Sequence, residues 1–169
     1  MANNDRSRSL IERAIRFVLE NFPATMFICA LAIATLLPGR PPTAERYLSW
    51  LLLMTVGLQG LWGGITHVVF PQTGARYIGW QTSPFQTEIG FADLAMGVTA
   101  IVSFWQGLPF KAAIVIYASV FYLGVAWVHL RDLQRTGNRA KGNFGGLLAM
   151  TVSKAVLLPA LLWLAYRTH

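Results

Sequence analysis

The sequence has little charge, and acid is the scarcer sign. Only 12% of its 169 residues are charged, with 7 Asp and Glu against 14 Lys and Arg, too few to clothe a water-soluble domain of this size. Cysteine occurs once, at Cys29, which excludes an intramolecular disulfide and any cysteine-built metal cluster. Lying in an apolar run, Cys29 reads as a small buried hydrophobe. A Walker A loop, a Gly-rich dinucleotide fingerprint and a G-x-S-x-G nucleophile elbow are all missing, so the chemistries they carry are set aside. No secretory signal is expected either. Met1 to Arg16 is polar and basic, and the first apolar run lacks a small-residue cleavage site.

What the chain has is apolar length: 54% of residues are hydrophobic and the mean hydropathy is +0.48. The formal charge of +7 sits at the ends of apolar runs, which is a pattern of membrane topology and not of nucleic-acid binding. The expected fold is all-α, an integral membrane helical bundle of about five transmembrane helices, four forming a core and one N-terminal to it. Residues 1–22 are expected to form a cytoplasmic tail and interfacial helix, 23–166 the bundle, and 167–169 a C-terminal tail.

In the N-terminal segment Leu10, Ile11, Ala14, Ile15 and Val18 form an apolar stripe beside Arg6, Arg8, Arg13 and Arg16. That suits an interfacial helix on an anionic leaflet, or equally the first turns of a longer helix. The run from Pro23 to Pro38 is short of the roughly 20 residues a span requires, so it is expected to borrow Phe17 to Phe22. A turn-rich loop, Pro38-Gly39-Arg40-Pro41-Pro42-Thr43, precedes a second span from Tyr47 to Phe70. On it Gln59, Gly60, Gly63, Gly64 and His67 share one side, and Gly60-x-x-x-Gly64 is a spacing that lets helix backbones approach closely. Pro71 is expected to end this helix, leaving residues 72–82 along the membrane surface. The third span runs from about Pro84 to Gln106, the fourth from Pro109 to Leu130, and the fifth from Phe144 to Tyr166, with Pro159 expected to bend it. Nine of the Lys and Arg fall on the side of the N-terminus and four on the other, which places the N-terminus in the cytoplasm.

The most informative stretch is Trp80 to Gly97, W-Q-T-S-P-F-Q-T-E-I-G-F-A-D-L-A-M-G. Ser83-Pro84-Phe85-Gln86 matches a capping box with proline at the first helical position, so a helix is expected from Pro84. Gln86, Gly90, Asp93 and Gly97 then line one small and polar face, and Glu88 points the other way. At about 1.5 Å per residue, Asp93 and Lys154 fall at one depth, roughly 15 Å from the inner surface. A lone charge there is costly, so the two are expected to pair inside the bundle, as packing device or as proton-coupling site. Nearer the inner interface lie His67, Glu88, His129 and Gln86. Two imidazoles and a carboxylate are ligand types for a metal, and two histidines for a haem, but no E-x-x-H or H-x-x-x-H pair supports either. No cofactor is predicted.

The W-x-x-S-P-F-Q-x-E-x-G pattern of Trp80, Ser83, Pro84, Gln86, Glu88 and Gly90 resembles the signature of a family of small, uncharacterised bacterial integral membrane proteins. More distantly, a helix-initial Glu followed by Gly is similar to the DoxX-like superfamily of four-helix membrane proteins. The resemblance implies a bacterial inner membrane and, through DoxX-like relatives, a quinone-linked redox role as one alternative; it assigns no catalytic residue. Three functions are carried forward. The first is a non-enzymatic accessory or structural component, contacting the bilayer and a second copy or partner membrane subunit. The second is a proton- or ion-coupled small-molecule transporter using Asp93, Lys154 and Glu88. The third is a quinone-linked redox or metal-binding protein using His67, Glu88 and His129.

Overall fold

The computed structural model describes residues 9–37, apart from Ala14, Arg16 and Glu20, and residues 43–168. The expectations placed on Arg6, Arg8, Ala14, Arg16, Glu20 and the loop Pro38 to Pro42 therefore lie outside the described residues. Those that are described form helices and no strand. We number them α1 (Phe22–Leu36), α2 (Ala44–Val69), α3 (Pro71–Ile78), α4 (Pro84–Ser103), α5 (Leu108–Thr136) and α6 (Gly146–Thr168). Ahead of them runs a further helical segment, Ser9–Leu19, at 90° to α1.

That right angle corrects one boundary. The helix breaks at Asn21, whose ψ of 26° is non-helical, so Phe17 to Leu19 lie before the bend, Phe22 opens α1, and the expected first span is bent and not continuous. Three helices, α2, α5 and α6, are long and apolar enough to cross a membrane, and a fourth crossing results if the bent pair of Ser9–Leu19 and α1 counts as one. The expected third span, α4, has the length at 20 residues but carries Glu88 and Asp93. Large side chains face outward around the bundle, among them Trp105, Ile116, Val156 and Trp163, as a lipid-facing exterior requires and a water-facing one does not.

Proline and glycine set most of the ends. Pro71 both stops α2 and starts α3, so the segment expected along the surface is a short helix to Ile78 followed by a loop over 79–83. Gly79 closes α3 and Gly137 closes α5 in the left-handed conformation, at φ of 80° and 72°, which costs glycine nothing. The helix α5 extends six residues past the expected end at Leu130, and α6 runs to Thr168, leaving no separate tail at 167–168. Pro84 does begin α4, but the capping box is not made. Ser83 provides no side-chain cap, and the Gln86 amide turns away to donate to the Pro71 carbonyl at 2.8 Å.

The tightest packing joins α2 to α4. A Cβ on Gly60 would lie 3.0 Å from the Asp93 carbonyl, one on Gly64 2.7 Å from the Gly90 carbonyl, and one on Gly97 2.9 Å from the Gly57 carbonyl. The four glycines singled out in the sequence, Gly60, Gly64, Gly90 and Gly97, are thus two halves of one interface at which bare backbones touch. On the opposite flank α5 packs along α6, and the N-terminal half of α2 crosses α6. The end holding Leu48, Leu51, Leu52, Ala100, Val115, Ala118 and Leu158 is a filled apolar core. There Lys111, only 3% exposed, donates to Glu45 at 3.2 Å. Lys111 is thus a buried tie between α2 and α5.

Adding a methyl group separates the packed glycines from the free ones. Gly97→Ala should cost about 1–3 kcal/mol, the usual penalty of overpacking. Gly124→Ala, where an added Cβ meets nothing within 4 Å, should be neutral or gain up to about 1 kcal/mol of helix stability. Unfolding in detergent micelles, followed by circular dichroism, measures both. Equal losses would show that the interface tolerates a side chain.

Candidate functional site

Away from the filled end the four helices α2, α4, α5 and α6 part around a cavity of about 1140 Å³. Each presents one stripe to it: Gln59, Gly63 and His67 from α2; Gln86, Ile89 and Asp93 from α4; Tyr122, Val125 and His129 from α5; Leu147, Thr151 and Lys154 from α6. These spacings of three, four and seven residues are those of a single helix face. Because neighbouring stripes run antiparallel, the polar residues fall into two layers. Gln59, Asp93, Tyr122 and Lys154 make a middle layer with one member from each helix. His67, Gln86 and His129 make an inner layer seven or eight residues away, about 11 Å along the axes.

In the middle layer Lys154 is 3% exposed and held on three sides. Its Nζ donates to Gln59 Oε1 at 3.2 Å and to the Thr55 carbonyl at 3.3 Å, and lies 4.0 Å from the centre of the Tyr122 ring. Thr55 is available because residues Leu52–Leu58 of α2 are wound as a π-helix. Gln59 N–H bonds to the Met54 and Val56 carbonyls, so the carbonyl that an α-helix would pair with it faces the ammonium instead. Asp93, half-buried, shares the cavity wall but is not within ion-pair distance of Lys154. Among the described residues its carboxylate has neither hydrogen bond nor ion pair, and Oδ2 stands 3.5 Å from the Cβ position of Gly63. The expected Asp93–Lys154 pair is therefore not made as a direct contact: the two groups line one cavity and act on each other from beyond ion-pair distance. The physical reason is that a neutral amide, a carbonyl and an aromatic face meet the lysine first.

The inner layer also differs from expectation. His67 Nδ1 and Gln86 Nε2 are 3.3 Å apart; with the amide as donor, Nδ1 accepts and the neutral ring carries its proton on Nε2. His129 Nδ1 lies 2.6 Å from Asn143 Oδ1, and since Asn143 Nδ2 is committed to the Asn138 carbonyl, Nδ1 is the donor there. The His129 ring stacks on Trp80 at 5.0 Å and 13°. Glu88, by contrast, is exposed and not part of the cavity wall. Among the described residues no three His, Cys, Asp or Glu side chains come together as a metal site, so His67, Glu88 and His129 are not one cluster. The helix geometry explains it: Gln86 and Glu88 are two residues apart, roughly 200° around the helix.

Several contributors were not legible in the chain. Asp132 accepts from Trp80 Nε1 and from Asn138 Nδ2, both at 2.8 Å. Asn138 also donates to the Ile78 carbonyl at 3.0 Å, and Gly142 N–H to the Tyr77 carbonyl at 3.0 Å. Together these tie α3 and the 79–83 loop to the 138–143 loop across the inner end of the cavity. The only sequence signal was the density of Asn and Gly in that loop. Tyr117 is half exposed and stacked on Phe121.

A double-mutant cycle ranks these contacts. Lys154→Met combined with Gln59→Ala should show a coupling of about 1 kcal/mol or more in micellar unfolding, within the range of about 0.5–3 kcal/mol for touching residues. Lys154→Met with Asp93→Asn should couple more weakly. The reverse ranking would reinstate a direct ion pair.

A family model matches the chain over residues 20–169, and its description is a family of unknown function (DUF6790). No curated protein and no solved structure matches.

Proposed function

The chain belongs to the DUF6790 family, and from that premise we propose that it is a membrane-embedded protein that binds a small amphipathic molecule between its four core helices. One observation carries the reading: a cavity of about 1140 Å³ with apolar walls and a polar group from each helix at its middle. Ligand sites have this composition, mostly apolar surface with a few convergent polar groups. The expectation of a non-enzymatic component is kept, with a ligand added to it.

In the proposed setting α4 and the bent N-terminal pair complete five spans in a bacterial inner membrane, with the N-terminus cytoplasmic. The basic residues Arg131, Arg135, Arg139 and Lys141 then flank the inner end of the cavity, as the positive-inside rule requires. The cavity lies in the cytoplasmic half, and the filled core with the Lys111–Glu45 tie closes the other half. A transporter would alternate this closure between the two ends; the unpartnered Asp93 inside the cavity is what favours transport as the second reading.

Binding of a neutral fluorescent apolar probe, N-phenyl-1-naphthylamine, to the protein in nanodiscs tests the main proposal. Saturable binding above that of empty nanodiscs is expected, and Val125→Trp, which fills the cavity from α5, should weaken it by about tenfold or more without loss of helicity. A loss of ~1.4 kcal/mol in binding corresponds to that factor. Absence of saturable binding to the unaltered protein would overturn the reading.

A further inference from the structure

We propose that Asp93 is the recognition point for a lipid-soluble organic cation, whose charged head sits in the space that Gly63 leaves open and whose apolar body lies along the cavity wall. The inference rests on the ligand-binding reading above and adds the chemical class of the ligand.

The first observation is which charge of the middle layer the protein has left unmet. An ammonium has three donors and no acceptor. Those of Lys154 are engaged by Thr55, Gln59 and the Tyr122 ring, and the residue is 3% exposed. An anionic ligand would have to displace one of these partners to reach it. Asp93 is the converse, an acceptor-only group when ionised, half-buried on the cavity wall, with no hydrogen bond and no ion pair among the described residues, Lys154 acting on it only from beyond ion-pair distance. A carboxylate in low-dielectric surroundings demands a donor or a counter-charge. The demand that the cavity leaves to a ligand is thus for a cation.

The second observation is Gly63. Its neighbours in α2 are small because α4 presses on them: a Cβ would lie 2.8 Å from Ile101 at Gly57, 3.0 Å from the Asp93 carbonyl at Gly60, and 2.7 Å from the Gly90 carbonyl at Gly64. At Gly63 nothing presses. A Cβ there would meet only Asp93 Oδ2, at the ordinary contact distance of 3.5 Å. Helix packing does not require glycine at this position, and what the missing side chain preserves is clear space in front of the carboxylate. The head of a ligand entering that space is on the Gly63 side of Asp93, where Oδ2 stands.

The third observation is the wall. Trp62, next to Gly63, forms a ring pair with Phe22 at 5.2 Å, and both line the cavity together with Tyr77 and Trp80. Aromatic faces attract organic cations through the ring quadrupole and give apolar contact at the same time. Glu12 supplies a second carboxylate to the lining.

Tetraphenylphosphonium and tetraphenylborate have nearly the same size and shape and opposite charge, so the pair isolates sign. In nanodiscs, with binding to empty nanodiscs subtracted, the phosphonium is expected to bind saturably and at least tenfold more tightly than the borate. Asp93→Asn and, separately, Gly63→Leu should each weaken phosphonium binding at least tenfold, with helicity unchanged by circular dichroism. Phosphonium affinity unchanged in Asp93→Asn, or borate binding as tightly as phosphonium, would overturn the cation assignment while the neutral probe still reports the cavity. If the neutral probe and both ions fail to bind the unaltered protein, the cavity reading itself falls, and this inference with it.

Discussion

Two helices meet backbone to backbone where Gly60 and Gly64 of α2 face Gly97 and Gly90 of α4, and the rest of the bundle takes its register from that contact. In an apolar solvent no hydrophobic force drives helices together, so close van der Waals contact over small residues does that work. Once Gly60 lies against Gly97, Gln59 and Gly63 are necessarily beside Asp93, and His67 is beside Gln86 and Gly90. The polar layers are consequences of helix pitch: seven residues return a helix to nearly the same face about 11 Å further on.

The middle layer shows how a buried charge is accommodated without an ion pair. An ammonium removed from water needs its hydrogen-bonding capacity met more than it needs a particular counter-ion. Lys154 obtains a backbone carbonyl, an amide oxygen and a ring face. The carbonyl comes from the π-helical turn of α2, an irregularity of the kind that often marks functional positions. Asp93 has no comparable environment among the described residues. The asymmetry between a satisfied lysine and an unsatisfied aspartate is the chemical signature of the cavity.

The two ends of the bundle are built differently for related reasons. One end is filled by leucine, valine and alanine side chains and tied by Lys111 to Glu45. The other is spanned by α3 and two loops joined through Trp80, Asp132, Asn138, Asn143 and His129, a chain of directional bonds with the indole stacked on the imidazole. An apolar core of interdigitated side chains opens only by unpacking, whereas a hydrogen-bonded seam between loops can separate and re-form locally. Access to the cavity is therefore easier from the loop end or from between the helices than through the filled core.

Much of this was legible in the sequence alone. The helical class, the start of α4 at Pro84, the gly-lined face of Gln86, Gly90, Asp93 and Gly97, and the shared depth of Asp93 and Lys154 all follow from local rules: proline geometry, 3.6-residue periodicity and rise per residue. So does the separation of Glu88 from that face. Whether groups at one depth touch was decided by tertiary structure, because depth fixes one coordinate and contact requires three. Lys154 met Thr55, Gln59 and Tyr122 before Asp93, Gln86 exchanged its cap for the Pro71 carbonyl and His67, and Glu88 stayed outside while His67 and His129 lined the cavity. The chain determined which residues belong to each helix face and at what level. The rotation of each helix against its neighbours, set by glycine packing between α2 and α4 and by the π turn in α2, decided which of those faces became a site.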